Sequence, residues 1–394
     1  MNAKSYRGSS RALILGTVRL KAPITRVELA SETGLTAAAV SQLVAGLIRD
    51  GFVVESQRRA PKRGQPPIEL VIRSGAACML GLHLEHSLLT AVLVDLDGTV
   101  LGEINRNHDA PEPQDVLHHA ARMCRELLEG AGSPENVLGV GLGSVGPLEL
   151  SRGTVNAPAF FPASWQRLPL RQNLADTLEM PVFLDNNATA AATGEYWYGD
   201  GRRYPNFLFI HLGVGLGGGL FLDGRVFRGS SFNAGEVGHM IVGAERPETP
   251  FRGTRGNLES YASLFALRFD LGDEMYGNLE RAYAEHDDAL LGWMERAAQF
   301  FAQAVVSVDN LLDLDAVIFG GLLPGVLNAY LVSRVCEHRE TFQNLSGRPR
   351  RARCVAARTA RNGAALGAAM LPVYDAFIYA PSEAGVFKST GGEP

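Results

Sequence analysis

From residue 78 onwards the sequence alternates short apolar strands with amphipathic helices, and this alternation constrains the fold more than any other feature. Residues 116–129 carry apolar side chains at helical spacing, whereas residues 137–142 form a continuous apolar run of strand length. With the turn sequence DLDG at 95–98, the strands 79–84 and 88–94 are predicted to form a β-hairpin. Further predicted strands are 182–184, 207–211 and 316–319. Together these elements predict a two-lobed α/β fold.

The composition argues against a single-domain protein, a membrane-spanning protein and a secreted protein. The chain has 394 residues, of which 46% are hydrophobic, and this is too long for one ordinary domain. No run reaches the roughly 18 to 20 apolar residues of a membrane span, and the N-terminus lacks a signal-peptide core. We therefore expect a cytoplasmic protein with no membrane partner. The four cysteines, Cys78, Cys124, Cys336 and Cys354, form no C-x-x-C pair and are predicted to be reduced thiols.

The charge is divided unevenly along the chain. Residues 1–63 contain 11 Lys or Arg against four Asp or Glu, while the remainder contains 26 against 38. A basic N-terminus on an acidic body is typical of a small nucleic-acid-binding module attached to a second domain. The alternative is a basic terminus that is merely solvated.

The N-terminal segment has the pattern of a winged helix-turn-helix domain. The predicted helices are 11–20, 26–33 and 37–49. Thr25 is a candidate N-cap of the second helix, with Glu28 completing a capping box, and Thr36 is a candidate N-cap of the third. The three-residue connection between the last two helices has helix-turn-helix spacing. A plain three-helix bundle is the alternative.

The third helix is predicted to be the recognition helix. One face is apolar and should pack in the core; it carries Val40, Leu43, Val44 and Leu47. The opposite face carries small or hydrogen-bonding residues, namely Ala37, Ala38, Ser41, Gln42 and Ala45. We expect Thr36, Ala38, Ser41 and Gln42 to contact DNA, with Ser41 and Gln42 reading bases. Gln42 has the geometry to pair bidentately with adenine.

A β-wing is predicted after this helix. Strands at 52–55 and 68–72 flank a polar, basic turn at 57–65. Its candidate phosphate or minor-groove contacts are Arg58, Arg59, Lys62 and Arg63. Residues 1–74 are therefore predicted to form the DNA-binding domain.

Four motifs in the larger part of the chain resemble the ROK family, whose name joins repressors, open reading frames and kinases. They are LDNNATAAATGE at 184–195, HLGVGLGGGLFLDGRVFRGSSFNAGEVGHM at 211–240, FGGLLP at 319–324 and GAALGAAM at 363–370. The second is highly specific, and the likeness extends from about residue 11 to residue 371. It implies the actin-like, ribonuclease-H-like sugar-kinase fold, with one lobe at 75–190 plus a helix at about 362–380 and the other at 191–361. Repressors of this family respond to xylose, N-acetylglucosamine or glucose and carry the same winged domain.

Three departures from the family's kinase pattern predict a protein that is not an enzyme. The resemblance puts Asn187 where the kinases have an aspartate base, and an amide cannot accept a hydroxyl proton at neutral pH. The phosphate loop D-x-G-G-T reads HLEHS at 83–87, where the carboxylate would repel phosphate. Val214 replaces the threonine of the second loop. The remaining glycines of that loop, at 213, 215 and 217–219, are better interpreted as a tight strand turn.

The family's sugar-binding residues are intact. The G-E-x-G-H motif is present at 235–239 and the later glutamate at Glu259, and the resemblance adds Asn186. Asn187 also retains polar atoms that can bind a hydroxyl. The predicted sugar ligands are therefore Asn186, Asn187, Glu236, His239 and Glu259, because each buried hydroxyl of a sugar must be paired. For any one of them alone, a solvated surface side chain is the alternative.

No metal or cofactor is expected. Many ROK proteins bind zinc through C-x-C-G-x-x-G-C-x-E, but residues 250–259 read PFRGTRGNLE, without a cysteine. His239 alone cannot hold a tetrahedral zinc ion, which leaves it to face the ligand.

The expected function is that of a sugar-responsive DNA-binding transcription regulator, a repressor in preference to an activator, with a catalytically dead kinase-like domain. Its expected partners are operator DNA, a sugar effector and further copies of itself, as a homodimer or homotetramer. One alternative is an active ROK sugar kinase that carries a DNA-binding domain. The other is a constitutive DNA-binding protein whose sugar-kinase fold serves only as an oligomerisation scaffold.

Overall fold

The N-terminal segment folds into three helices and a small sheet. The computed structural model describes residues 9–57, 68–108, 111–156, 158, 161–246, 256–341, 352–359 and 361–378. The helices are α1 (Ser10–Lys21), α2 (Arg26–Thr33) and α3 (Ala37–Arg49), and the strands are β1 (Ile24–Thr25), β2 (Val53–Gln57) and β3 (Ile68–Ile72). β3 lies between β1 and β2 and is antiparallel to both.

Side-chain caps set the helix boundaries in this segment. Thr25 and Glu28 form the predicted capping box at the start of α2, and Gly34 ends that helix in the left-handed conformation. Thr36 accepts a hydrogen bond from the backbone N–H of Ala39 at the start of α3. Because the caps can be recognised in the sequence, the predicted bounds of α2 and α3 agree with the structure.

The remaining strands and helices follow along the chain. They are β4 (Cys78–Leu84), β5 (Leu88–Asp95), β6 (Val100–Asn107), α4 (Pro113–Gly130), β7 (Val137–Ser144), β8 (Leu148–Glu149), β9 (Thr154–Val155), α5 (Leu170–Leu178), β10 (Val182–Asn186), α6 (Asn187–Tyr198), β11 (Phe207–Leu212), β12 (Leu216–Leu222), β13 (Arg225–Phe227), α7 (Leu258–Ala262), α8 (Leu264–Gly277), α9 (Leu279–Ala284), α10 (Asp288–Leu312), β14 (Ala316–Gly321), α11 (Gly325–Thr341), β15 (Arg353–Ala356), α12 (Gly363–Ala369) and α13 (Leu371–Val373). A π-helical turn, Tyr374–Ile378, continues α13. Among the described residues no helix combines the length and apolarity needed to cross a bilayer.

The chain folds as two compact units. The first contains the described residues of Met1–Asp185 and Ala368–Pro394, and the second those of Asn186–Gly367. The sheet of the first unit has the order β10-β7-β4-β5-β6, and that of the second β13-β12-β11-β14-β15. In each sheet three consecutive strands form an antiparallel meander, β4-β5-β6 in the first and β11-β12-β13 in the second. Two later strands lie beyond the first strand of the meander, β7 and β10 beyond β4, and β14 and β15 beyond β11. The two units therefore repeat one α/β topology.

Several strands were not predicted from the sequence, namely β1, β6, β8, β9, β12, β13 and β15. β6 was not predicted, because its side chains are exposed or half-buried and polar residues interrupt its apolar pattern. The DLDG turn at 95–98 joins β5 to β6 rather than closing a hairpin of β4 and β5. That hairpin is closed by residues 85–87, where the N–H of Glu85 donates to the carbonyl of Leu88 over 2.9 Å.

The core of each unit lies against its sheet. β4 and β5 are buried along almost their whole length, as their continuous apolar sequences predict. In the second unit Phe207 and Phe221 stack with ring centroids 4.7 Å apart, and α6 packs over them through Ala191 and Ala192.

Helix α1 attaches the N-terminal elements to the rest of the first unit. It packs against the π-helical turn that follows α13. The Arg19 side chain of α1 is buried, with only 8% of the residue exposed, and its Nη2 lies 3.9 Å from Sδ of Met370. The same guanidinium lies against Gly98: a Cβ added there would be 3.1 Å from Nη2 of Arg19.

Candidate functional site

The glycine-rich segment of the second unit brings helix α6 directly onto strand β12. A Cβ at Gly217 would lie 2.9 Å from the Cβ of Ala188, and one at Gly219 would overlap the Cβ of Ala192. Gly213 and Gly215 close the turn between β11 and β12, with 3.0 Å from the N–H of Gly213 to the carbonyl of Gly215. The tight strand turn expected from the sequence therefore accounts for two of these glycines, and helix packing for two others.

The G-E-x-G-H motif lies against the same strand. Gly235 has a φ of 96°, and a Cβ there would overlap the carbonyl oxygen of Gly218. A Cβ at Gly238 would overlap the carbonyl oxygen of Leu216. Both glycines are required because the motif approaches the backbone of β12 so closely.

The two predicted ligand side chains of this motif are exposed and lie next to each other. His239 Nε2 lies 3.7 Å from Glu236 Oε2, and the side chains are 66% and 48% exposed. Such a pair is open to a ligand approaching from solvent. Taken alone, it is also what a solvated surface pair looks like.

Glu259 is hydrogen-bonded to the start of β12. Its Oε1 accepts a hydrogen bond from the backbone N–H of Leu216 over 2.9 Å, and Asn257 caps the short helix that carries it. Loss of solvent raises the pKa of the Glu259 carboxyl, and the charge of Glu236 raises it further. The Leu216 N–H and His239 act in the opposite direction. Glu236, His239 and Glu259 are thus close enough to interact electrostatically.

Asn186 and Asn187 stand at the N-terminus of α6. Asn186 is the N-cap, and its Oδ1 accepts hydrogen bonds from the N–H groups of Ala188 and Thr189 over 2.8 and 3.4 Å. Asn187 Oδ1 also lies 2.9 Å from the Ala188 N–H. Ala188 packs on Gly217, Gly235 and Gly238 approach the backbone of Gly218 and Leu216, and Glu259 binds the N–H of Leu216, so the segments that carry the five predicted sugar ligands all adjoin residues 216–219. Asn186 has a structural role at the cap in addition to any contact with a ligand.

The segment at 83–87 is an internally bonded hairpin turn in the first unit. His83 and Glu85 are buried, with 3.7 Å between His83 Nε2 and Glu85 Oε2. Glu85 Oε1 also accepts the backbone N–H of His86 over 3.1 Å. An ionised carboxylate at this turn is expected to repel a phosphate.

The turn at 213–215, which the resemblance aligns with the second phosphate loop, is hydrogen-bonded to the start of α8. The first backbone N–H groups of α8, those of Leu264 and Phe265, donate to the carbonyls of Gly213 and Val214 over 3.1 Å each. Helix N-termini are ready-made anion sites only when such donors point at the anion. Here they hold the turn between β11 and β12.

The predicted recognition face of α3 is exposed. Val40, Val44 and Leu47 are buried and Leu43 is half-buried, which is the predicted core stripe. The residues of the opposite face are all exposed: Thr36, Ala37, Ala38, Ser41, Gln42 and Ala45. The four basic residues of the wing, Arg58, Arg59, Lys62 and Arg63, lie outside the described residues, as do residues 250–255 of the segment that replaces the zinc motif.

Sequence reasoning missed the role of Glu195, the last residue of the first family motif. This fully buried carboxylate accepts the backbone N–H groups of Asp200, Arg358 and Thr359 over 2.9 to 3.2 Å, and the Thr359 hydroxyl over 2.8 Å. Through these hydrogen bonds Glu195 connects the C-terminal part of α6 to residues 358 and 359, which follow β15. A glutamate in an otherwise small and apolar helix was the available signal.

Comparison with known proteins gives consistent matches. A model of the ROK family matches residues 80–373. The xylose repressor of Caldicellulosiruptor bescii is 31% identical over 264 residues. The aligned part is 66% of this chain and 64% of the repressor, so this chain spans slightly less than two thirds of the repressor's length. A glucokinase of Thermotoga maritima is 30% identical over 263 residues, 62% of this chain and 81% of the kinase. Among solved structures, a ROK family transcriptional regulator described as a homologue of the E. coli MLC protein has a TM-score of 0.73 at 23% identity, covering 95% of this chain and 98% of that one.

Proposed function

Because the chain belongs to the ROK family, we propose that it is a sugar-responsive transcription regulator, a repressor, whose kinase-like domain binds a neutral sugar without phosphorylating it. Residues 1–74 are the winged helix-turn-helix in this proposal, and residues 75–190 with 362–380 and 191–361 are the lobes of the effector domain. The observation that carries the proposal is an amide, Asn187, at the position of the kinase base, next to an intact set of hydroxyl-binding side chains.

The grouped side chains have the chemistry of a sugar site. Carboxylates accept hydrogen bonds from hydroxyls, and the amides and the imidazole offer donors as well as acceptors. Glu236, His239 and Glu259 interact with one another around β12, and the asparagines stand at the adjoining end of α6. A neutral polyol suits this set better than an anion, because two carboxylates would repel a phosphate or an acid sugar.

Three features argue against phosphoryl transfer. Positioning and charge neutralisation of the phosphate are almost all that a kinase contributes, so its parts are not optional. Asn187 cannot serve as a base, and Glu85 is buried in the first loop. The N–H groups that start α8 are bonded to the turn at 213–214. Each of these three features would have to differ for the chain to transfer a phosphoryl group from ATP.

DNA binding is proposed from the N-terminal elements. The exposed face of α3 is small, uncharged and rich in hydrogen-bonding groups at Ser41 and Gln42, which suits contact with base edges. Four basic residues fall between β2 and β3, where a wing would meet the backbone of the duplex. Relatives of this chain are named xylose repressors, which supports a repressor that responds to a sugar. We propose a homodimer or homotetramer on a palindromic operator.

A second candidate function is sugar phosphorylation by a chain that also binds DNA. The observation in its favour is the 30% identity to a glucokinase. It requires sugar-dependent hydrolysis of ATP, which the sensor does not perform.

A thermal-shift panel separates these functions. The purified chain is heated with neutral sugars, amino sugars, polyols and sugar phosphates, and with ATP and magnesium in separate wells. A ligand at 100 times its dissociation constant adds about 2.7 kcal/mol of stability, which gives a clear shift. We expect one neutral sugar to raise the midpoint and ATP with magnesium to leave it unchanged.

Variants make the test specific to the site. Glu236→Ala should abolish the shift, whereas Glu280→Ala, an exposed glutamate on α9, should leave it intact. A shift with ATP and magnesium, together with sugar-dependent ATP hydrolysis, would establish the kinase instead. If no sugar shifts the protein and Glu236→Ala leaves operator release unchanged under every candidate effector, the sugar-kinase fold is only a scaffold.

A further inference from the structure

Two cysteines that are far apart in sequence lie side by side in the second unit. Cys336 is on α11 and Cys354 is on β15, the edge strand of the sheet against which that helix packs. The Cys336 thiol donates to the carbonyl oxygen of Cys354 over 4.0 Å, which makes the two residues direct neighbours. Both residues are half-buried, whereas Cys78 and Cys124 are fully buried in the first unit.

A cation lies next to the pair. Arg339, one turn after Cys336 on α11, places Nη1 3.5 Å from Cys354 Sγ and donates to the carbonyl of Ala352. Its charge favours a thiolate over a thiol at this position. The acidic groups that face the pair act against it: Glu337 and Glu340 lie near Cys336, and Asp309 of α10 lies near Cys354.

The two sulfurs are electrostatically unequal. The hydrogen bond from Cys354 lowers the pKa of Cys336 to about 6, with a further contribution from Arg339 and against the effect of burial. The pKa of Cys354 is raised, because this thiol keeps the shared proton and is also withdrawn from water. Burial raises the pKa of Cys78 to about 11 and that of Cys124 to about 12. We therefore expect Cys336 to be the more nucleophilic sulfur of the pair at neutral pH.

We propose that Cys336 and Cys354 form a hydroperoxide-reactive modification site that closes reversibly to an intramolecular disulfide. The Cys336 thiolate attacks one peroxide oxygen and the O–O bond breaks. Hydroxide leaves and takes up a proton as water, and Cys336 becomes a sulfenic acid. The Cys354 sulfur then attacks the Cys336 sulfur, the S–O bond breaks, and a second water leaves with the Cys354 proton. One peroxide is reduced by two electrons and the two thiols are oxidised by two.

The disulfide would be a covalent link between two neighbouring elements of the second unit. The disulfide joins an edge strand to the helix beside it and closes the intervening segment of chain, which restricts the unfolded chain more than the folded one. The oxidised protein should therefore unfold at a higher temperature than the reduced protein, and a thiol reductant should reverse the increase.

The first experiment treats the reduced full-length chain with one equivalent of hydrogen peroxide and maps the cysteines by mass spectrometry without reduction. We expect one linked peptide pair, Cys336 with Cys354, while Cys78 and Cys124 remain thiols. In Cys354→Ser, dimedone should trap a sulfenic acid on Cys336. In Cys336→Ser, Cys354 should react no faster than Cys124. Equal oxidation of all four cysteines, or disulfides only between chains, would overturn the proposal.

A second measurement identifies the reactive sulfur independently of the disulfide. The rate of alkylation of Cys336 by iodoacetamide should reach half its maximum near pH 6, against about pH 8.5 for an ordinary thiol. Arg339→Gln should move that midpoint upwards. Arg122→Gln, an exposed arginine on α4 that pairs with Glu126, should not. A wild-type midpoint near 8.5 would refute an activated Cys336.

Discussion

At the scale of single residues, Glu259 is the candidate ligand whose charge state depends on the folded structure. Its pKa is raised above the ordinary value of 4.5, chiefly because the carboxyl is withdrawn from water. Below pH 4.5 the folded and unfolded chains are both protonated here and the group has no effect on stability. As the pH rises through the folded-state pKa the folded form must bear a poorly solvated charge, and the destabilisation is complete above that value.

Glu259→Gln is therefore expected to become increasingly stabilising, relative to the wild type, as the pH rises above 4.5, and then to level off. The amide oxygen of glutamine can still accept the N–H of Leu216, so the local hydrogen bond is kept. Urea unfolding of both proteins at a series of pH values measures the difference. A difference that does not change with pH would mean that Glu259 titrates normally in the folded chain.

At the scale of secondary-structure elements, the packing of α6 on β12 positions both asparagines. Gly219→Ala places a methyl group where the Cβ of Ala192 already stands, and we expect this overpacking to destabilise the chain by about 1 to 3 kcal/mol. Chemical denaturation provides the measurement. Gly277→Ala, at the end of α8, is the matched control because its added Cβ meets no atom within 4 Å. Equal effects of the two substitutions would contradict the close approach of α6 and β12.

The exposed face of α3 supports a prediction about base reading. If Gln42 pairs with a base, Gln42→Ala should cost about 1 to 3 kcal/mol on the preferred DNA sequence and very little on unrelated DNA. The preferred sequence can be selected in vitro from random duplexes, and both affinities measured at one salt concentration. Gln172→Ala, an exposed glutamine on α5, is the control. A uniform loss on all sequences would assign Gln42 to the phosphate backbone.

The elements also show why part of the structure followed from the sequence and part did not. Thr25 and Thr36 mark helix starts by local chemistry, so α2 and α3 could be placed to the residue. The half-exposed strand β6 has no apolar pattern to reveal it. The ROK resemblance, which the family match confirms, identified the candidate ligands by motif. It did not reveal that glycines pack α6 onto β12, or that Asn186 caps that helix, because these contacts depend on the tertiary fold.

At the scale of the whole molecule, the comparisons confirm the two-lobed actin-like fold of the ROK family. The two five-stranded sheets repeat one topology, while the N-terminal helices belong to the first unit only. The candidate sugar ligands all belong to the second unit. In the proposed regulator, a ligand bound to one unit must therefore alter the affinity for DNA of elements carried by the other. Couplings of this kind typically amount to about 1 to 3 kcal/mol, which is roughly a 5- to 150-fold change in affinity.

Arg19 is the residue through which this coupling is predicted to reach the DNA-binding elements, because it anchors α1 beside Met370 and Gly98. Arg19→Met keeps the length and apolar packing of the side chain but removes the guanidinium. We expect the sugar affinity to stay unchanged while the ligand-dependent change in DNA affinity falls towards one-fold, as measured by titrating operator DNA with and without saturating sugar. Arg122→Ala, an exposed arginine on α4, should keep the full effect. If Arg19→Met also keeps it, the signal reaches α3 by contacts other than those of α1, and the anchoring of α1 is purely structural.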